Sequence, residues 1–177
     1  MAIEHEAKIL DIDPDTIHSR ITELGGTKIG TYSMRRYVYD IDPADQSRWI
    51  RLRDTGTMTT LAVKHITSDV IDGTHETEVM VSDFDTTNAL LAQLGYTPKS
   101  YQENTRTTYQ LDGAELDIDT WPRIPPYLEI EADTPQAIHD ITARFGYTEA
   151  DLTSQNTTKI YAHYGIDLTT ITDLRFV

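Results

Sequence analysis

The sequence contains no cysteine. A disulfide framework and every zinc site built on thiolates are thereby excluded, and a reducing cytoplasm is the expected compartment. Long apolar runs are also missing: none approaches the ~18 residues of a transmembrane helix, and Met1 leads at once into Glu4, His5 and Glu6 instead of the apolar stretch of a signal peptide. No membrane association is expected. Positive charge is scarce, with 15 Lys plus Arg against 29 Asp plus Glu and a formal net charge of −14. A protein that binds bare nucleic acid or an anionic membrane is basic overall, so no nucleic-acid partner is expected either. The phosphate-loop pattern GxxxxGK(S/T), the dinucleotide pattern GxGxxG and the HExxH zinc motif are absent. No Gly/Ser linker or low-complexity tract divides the 177 residues. One soluble domain is expected over residues 1–177, with a core at about 1–165 and a tail at about 166–177.

Three stretches read as helices, over about 13–24, 83–94 and 134–145. Asp13, Ser82 or Asp83, and Thr134 stand at cap positions, with Pro14 and Pro135 in first turns, where a missing amide donor costs nothing. Each helix is predicted to stop at a glycine, Gly25, Gly95 or Gly146, because the residue after a last turn often needs a positive φ. The remainder is rich in Thr, Ile, Val and Tyr. Residues 2–10, 29–40, 48–53, 59–66, 74–81, 101–111, 114–120 and 127–132 read as strands joined by short turns, which implies antiparallel pairing. A short helix is expected over about 155–164.

Within those strands the charges alternate. Residues i and i+2 of a strand share a face, so Glu4, Glu6 and Lys8 point one way. Glu76 with Glu78, Asp117 with Asp119, Glu129 with Glu131, and Arg51 with Arg53 repeat the pattern, each backed by apolar neighbours. One explanation is a set of solvated sheet faces. The other is a sheet curled with its charged face inward, where carboxylates meet divalent cations and basic groups meet an anion, since unpaired buried charge is too costly to persist.

The ordered motifs resemble those of the CYTH domain, the triphosphate tunnel metalloenzyme superfamily. Glu4-His5-Glu6-Ala7-Lys8 fits its opening Glu-x-Glu-x-Lys signature. Trp49-Ile50-Arg51-Leu52-Arg53, Lys64, Glu76-Thr77-Glu78, Arg106, Asp117-Ile118-Asp119, Tyr127-Leu128-Glu129-Ile130-Glu131 and Lys159 follow in order. The resemblance implies an α+β fold: an eight-stranded antiparallel β-barrel, or triphosphate tunnel, with helices packed outside. It implies Mg²⁺ or Mn²⁺ held by Glu4, Glu6, Glu129 and Glu131, with Asp119 as candidate for a second ion, aided by Asp117 or Glu78. It implies Lys8, Arg51, Arg53, Lys64, Arg106 and Lys159 as phosphate binders, and a triphosphate-bearing small molecule as partner. A homodimer is compatible with this reading.

Two positions depart from the family pattern. Asn104 stands where a Lys or Arg is common, and Val38 stands where a Tyr is common, flanked by Tyr37 and Tyr39. In some hydrolysing members of that family the Tyr works with the first-strand Lys to activate water; unless a register shift brings Tyr37 or Tyr39 inward, Lys8 is left as the main candidate for assisting the nucleophile. His5 is expected to be a packing or surface residue; Trp49 and Trp121 are expected to be packing groups, with the border of a tunnel mouth as the alternative for either; Arg35 is expected in solvent, and Arg36 fits either face. Three functions follow, in order of preference: hydrolysis of tripolyphosphate, a nucleoside triphosphate or thiamine triphosphate; cyclisation of ATP to cyclic AMP as in class IV adenylate cyclases; and non-catalytic capture of a polyphosphate.

Overall fold

A computed structural model describes residues 2–177, with side chains from His5 onward. The expectation placed on the Glu4 carboxylate therefore lies outside the described residues. Strands β1 (Ala2–Glu4) and β2 (Glu6–Ile9) precede helix α1 (Pro14–Glu23). The meander β3 (Thr27–Asp40), β4 (Arg48–Asp54), β5 (Thr59–Ile66) and β6 (Thr74–Val81) leads to α2 (Phe84–Gln93). Next come β7 (Ser100–Leu111), β8 (Ala114–Thr120), β9 (Tyr127–Glu131) and α3 (Pro135–Arg144). The chain ends with β10 (Leu152–Thr153), α4 (Thr157–His163) and β11 (Asp173–Leu174).

The sheet runs β1-β6-β5-β4-β3-β7-β8-β9-β2-β10, antiparallel throughout, with β11 added parallel to β7. The strand expected over 2–10 is broken at His5, and the break joins the two ends of the sheet. Its first half pairs with β6 and its second half with β9. The peptide between them is tied to both sides: the Glu6 amide donates to the Ile71 carbonyl at 3.1 Å, and the Ala132 amide donates to the His5 carbonyl at 3.2 Å. Taking β1 and β2 as one stave, eight staves surround a lumen, joined at that stave by the chain itself and not by a continuous ladder.

The helices form where their caps were expected. The Asp83 carboxylate accepts from the Thr86 amide and the Thr134 hydroxyl from the Ala137 amide, satisfying free donors of α2 and α3. Gly25, Gly95 and Gly146 follow the helices at φ of 87°, 94° and 83°, where a side chain would be strained. Helices α1, α2 and α3 cover the outer face of the barrel, while α4 sits at the rim of the lumen. Ile17 and Ile21 of α1 and Ile138 and Ile141 of α3 pack on Ala7, Leu116, Leu128 and Ile130, while Phe84 and Leu91 of α2 pack on Tyr39, Ile50 and Leu52. Each fully buried side chain of this kind contributes about 1.5–3 kcal/mol. The apolar core is thus a sleeve outside the barrel, which frees the inner face for polar groups.

The C-terminal segment is integrated into the domain. Ile160, Tyr161, Leu168 and Leu174 cluster with Trp121, Ile124 and Tyr127, and the Tyr161 hydroxyl donates to the Pro122 carbonyl at 2.7 Å. Among the described residues no helix is long and apolar enough to cross a membrane.

Candidate functional site

Strand periodicity places the alternating charges on the inner face, around a cavity of about 1090 Å³. Three ion-pair groups organise it. Arg106 of β7 is the hub of the first. Its Nε and Nη2 donate to Asp119 at 3.0 and 2.6 Å, Nη2 also reaches Glu129 at 2.8 Å, and Nη1 reaches Asp117 at 2.6 Å. Asn104, the departure from the family pattern, donates to Asp119 at 3.1 Å, and the Thr108 hydroxyl donates to Asp117 at 2.6 Å. Burial pushes Asp117 up to about 7, with Arg106 opposing, and raises Asp119 in the same way. Burial also acts against the Arg106 cation, but Asp119, Glu129 and Asp117 outweigh it and raise its pKa.

Lys8 anchors the second group, with its Nζ at 3.1 Å from both Glu6 and Glu129. Burial disfavours the ammonium, yet those two carboxylates prevail and raise its pKa. Burial likewise works against the Glu129 carboxylate, which Lys8 and Arg106 hold well below the ordinary range. The third group is on the other side of the stave: Arg51 bonds Glu76 at 2.7 Å and Glu78 at 3.0 Å, Lys64 meets Glu76 at 3.0 Å, and Arg53 approaches Glu78 at 3.7 Å. The Nε atoms of Arg51 and Arg53 are buried and have no acceptor among the described residues.

Lys8, Arg51, Arg53, Lys64 and Arg106 therefore share one lumen with Glu6, Glu129 and Glu131. Lys159 lies at its rim, half exposed and paired with Asp69. Asp119 is fully buried behind Arg106. Trp49 and Trp121 both border the cavity. Tyr37 and Tyr39 do not enter it: Tyr37 stacks on Phe84, and the buried Tyr39 donates to Asn88 at 2.9 Å. Val38 keeps the inward position between them, so no register shift supplies a lumen tyrosine from this strand.

Hard divalent cations take carboxylate oxygens, and the acidic wall has the donors they require. Glu6, Glu131 and Glu115 occupy adjacent register positions on β2, β9 and β8. Desolvation, together with the charges of Glu129, Glu6 and Glu115, raises the Glu131 pKa, a repulsion that a cation would relieve. The donor chemistry thus fits Mg²⁺ or Mn²⁺. Among the described residues no three acidic or histidine side chains already converge on one point. Glu6 and Glu129 are instead held by Lys8, and Asp119 by Arg106.

Two inward residues escaped the motif reading. Glu115 completes the acidic row, and its register opposite Glu131 is visible only once β8 and β9 are paired. Arg36 lines the cavity, whereas its neighbour Arg35 points outward to Asp54 and Phe84. Adjacent arginines fit either parity, so only the position of Val38 and Asp40 on the same face could have signalled it.

The CYTH domain family matches residues 2–161 of this chain. Comparison with curated proteins gives no match. Among solved structures, the PH1012 protein from Pyrococcus horikoshii OT3 superposes with a TM-score of 0.77 at 20% identity, covering 87% of this chain and 96% of that one. An adenylate cyclase candidate from Vibrio parahaemolyticus gives a TM-score of 0.75 at 15% identity, with coverages of 90% and 98%. HpAC1 from Hippeastrum, an adenylyl cyclase candidate described as revealing a dominant triphosphatase activity, gives 0.59 at 14%, with coverages of 93% and 96%. At such identities the likeness establishes the fold.

Proposed function

Since this chain belongs to the CYTH domain family, we propose that it binds a triphosphate-bearing small molecule in the barrel lumen and hydrolyses it with a divalent cation. The observation that carries this reading is the single lumen in which Lys8, Arg51, Arg53, Lys64 and Arg106 stand paired with carboxylates. Fork-shaped guanidinium groups suit phosphate oxygens, and phosphoryl transfer is mainly positioning and charge neutralisation. HpAC1, whose fold this chain shares, is described as having a dominant triphosphatase activity, which favours hydrolysis over cyclisation.

Glu6, Glu129 and Glu131 would hold the cation, assisted by Glu4. A bound Mg²⁺ or Mn²⁺ would polarise phosphoryl oxygens and neutralise the charge developing on them. Engaging Glu6 and Glu129 elsewhere leaves Lys8 and Arg106 with free donors for phosphate. Lys8, protonated at neutral pH, has no lone pair with which to take a proton from water, so its assistance is by charge. In the reaction a water oxygen bonds to the terminal phosphorus, the bridging P–O bond breaks, orthophosphate leaves the shortened chain, and the water's protons pass to the oxygens of the two phosphate products and to solvent.

The test incubates the protein with Mg²⁺ or Mn²⁺ and, separately, tripolyphosphate, ATP and thiamine triphosphate, measuring orthophosphate, pyrophosphate and cyclic AMP. Orthophosphate is expected, and Glu129→Ala is expected to abolish it. Cyclic AMP from ATP would replace hydrolysis by cyclisation. Binding without turnover of any substrate would leave a capture module, and full activity in Glu129→Ala would refute the metal assignment.

A further inference from the structure

Arg36 is the exception among the inward cations. Lys8, Arg51, Arg53, Lys64 and Arg106 each lie within 4.0 Å of a carboxylate, while Arg36 makes no ion pair among the described residues. It is nevertheless held in place. Its Nε donates to Gln102 at 2.8 Å, Gln102 is itself fixed by donating to Ser100 at 2.8 Å, and Nη2 reaches the Thr157 hydroxyl at 3.4 Å. The guanidinium carbon lies 4.5 Å from the ring centroid of the buried Trp121. Nη1 has no hydrogen-bond partner among the described residues. Desolvation, then the charges of Arg51 and Arg53, depress the Arg36 pKa to about 9, which leaves it charged at neutral pH and poorly compensated.

The surroundings lack acceptors. The buried Trp121 Nε1 has no acceptor among the described residues, and neither do the Arg51 and Arg53 Nε atoms. Arg36 faces Arg53 across the β3–β4 ladder and Gln102 across the β3–β7 ladder. Three like charges on neighbouring positions repel one another. An uncompensated cation costs several kcal/mol when it leaves water, and apolar packing or a neutral amide does not offset that. The group that resolves both the repulsion and the vacant donors is a multivalent anion rich in acceptor oxygens, for which a planar fork is suited. In the ring of staves β3 lies four places from β2 in either direction, so Arg36 is on the wall opposite Lys8.

We propose that Arg36, laid on Trp121 and oriented by Gln102, is an anion subsite that takes one phosphoryl group of the bound chain on the wall opposite Lys8. The assignment deepens the triphosphate reading and rests on it for the identity of the chain. Arg36 is thereby a specificity-determining residue, because it fixes how a polyanion extends across the lumen.

Tripolyphosphate and orthophosphate are titrated by calorimetry, with Mg²⁺ and without it, into the parent protein, Arg36→Met and Arg36→Lys, and each variant is also melted. Arg36→Met is expected to bind tripolyphosphate about tenfold or more weakly, as the loss of charge-assisted hydrogen bonds requires. Its melting temperature should equal or exceed that of the parent, since removing an uncompensated cation relieves the fold. Arg36→Lys, which keeps the charge and loses the fork, should fall between. Parent-like affinity in Arg36→Met, with a lower melting temperature, would make Arg36 a structural residue and overturn the subsite. If Arg36→Met does not fold, Arg36→Lys decides, and affinity within about twofold of the parent overturns it. Orthophosphate binding that needs Arg36, without any tripolyphosphate binding, would retain the subsite and refute the triphosphate function. Binding of neither anion by the parent would refute both.

Discussion

Arg106→Leu removes the cation shared by three carboxylates, two of them nearly inaccessible to solvent. Asp117 would retain the Thr108 hydroxyl at 2.6 Å, Asp119 the Asn104 amide at 3.1 Å, and Glu129 the Lys8 ammonium at 3.1 Å. Breaking one buried ion pair costs about 3–5 kcal/mol, and partners within one network do not add. Because each acid keeps one donor, the expected loss is at the lower end, about 3 kcal/mol, or roughly 6–12 °C for a domain of this size. The loss should depend on pH. An acid whose folded pKa is above its unfolded value binds its proton more tightly when folded, so its effect is favourable at low pH and is lost as pH rises through the folded pKa. For Asp117 that window runs from 3.8 to about 7 even with Arg106 present, and removing the guanidinium extends it upward. Urea unfolding at about pH 5 and about pH 8, followed by tryptophan fluorescence, should therefore show the smaller loss relative to the parent at the lower pH, where Asp117 is protonated but the ionised Glu129 still loses the guanidinium, and the larger loss at the higher. Adding Asp119→Leu should recover part of it, since a buried pair replaced as a whole leaves no orphan charge. A loss below about 1 kcal/mol, or the same loss at both pH values, would refute the reasoning.

Tyr39→Phe removes the hydrogen bond to Asn88 and should lower stability by about 1 kcal/mol while leaving turnover unchanged, and Tyr37→Phe should change neither. Steady-state assays that show a large loss of turnover in either variant would mean that a tyrosine enters the lumen after all. Leu174→Ala empties a fully buried position where the C-terminal segment joins the domain, at an expected cost of about 2–5 kcal/mol in chemical unfolding. A cost under about 1 kcal/mol would show that the segment after α4 is dispensable to the fold.

Alternation made the barrel wall legible in the sequence, because a period of two is local. Arg51 beside Arg53 and Glu129 beside Glu131 declare a shared face before any partner strand is known. Helix ends were legible for the same reason, since Asp83, Thr134 and the following glycines act within one turn. What depends on pairing was not. The break at His5 arises because β6 and β9 claim opposite halves of one segment, and their meeting is set by the curvature of the whole sheet. The inward choice of Arg36 over Arg35, the use of Asn104 as a donor to Asp119, and the row formed by Glu115 all follow from register between strands distant in sequence.

The same pairing changes the meaning of the net charge. The acids Glu6, Glu76, Glu78, Glu115, Asp117, Asp119, Glu129 and Glu131 and the bases Lys8, Arg36, Arg51, Arg53, Lys64 and Arg106 all face inward or bond those that do. The interior is close to balance, so most of the −14 resides on the outer surface, which repels polyanions. Inside, among the described residues, each cation except Arg36 is already committed to a carboxylate. A polyanion entering alone would have to displace those carboxylates and leave them uncompensated in a lumen where burial already raises the pKa of Asp117, Asp119 and Glu131. On the proposed function, polyanion and divalent cation therefore bind with positive coupling: the cation takes the carboxylates, the phosphates take the arginines, and neither exchange is favourable without the other.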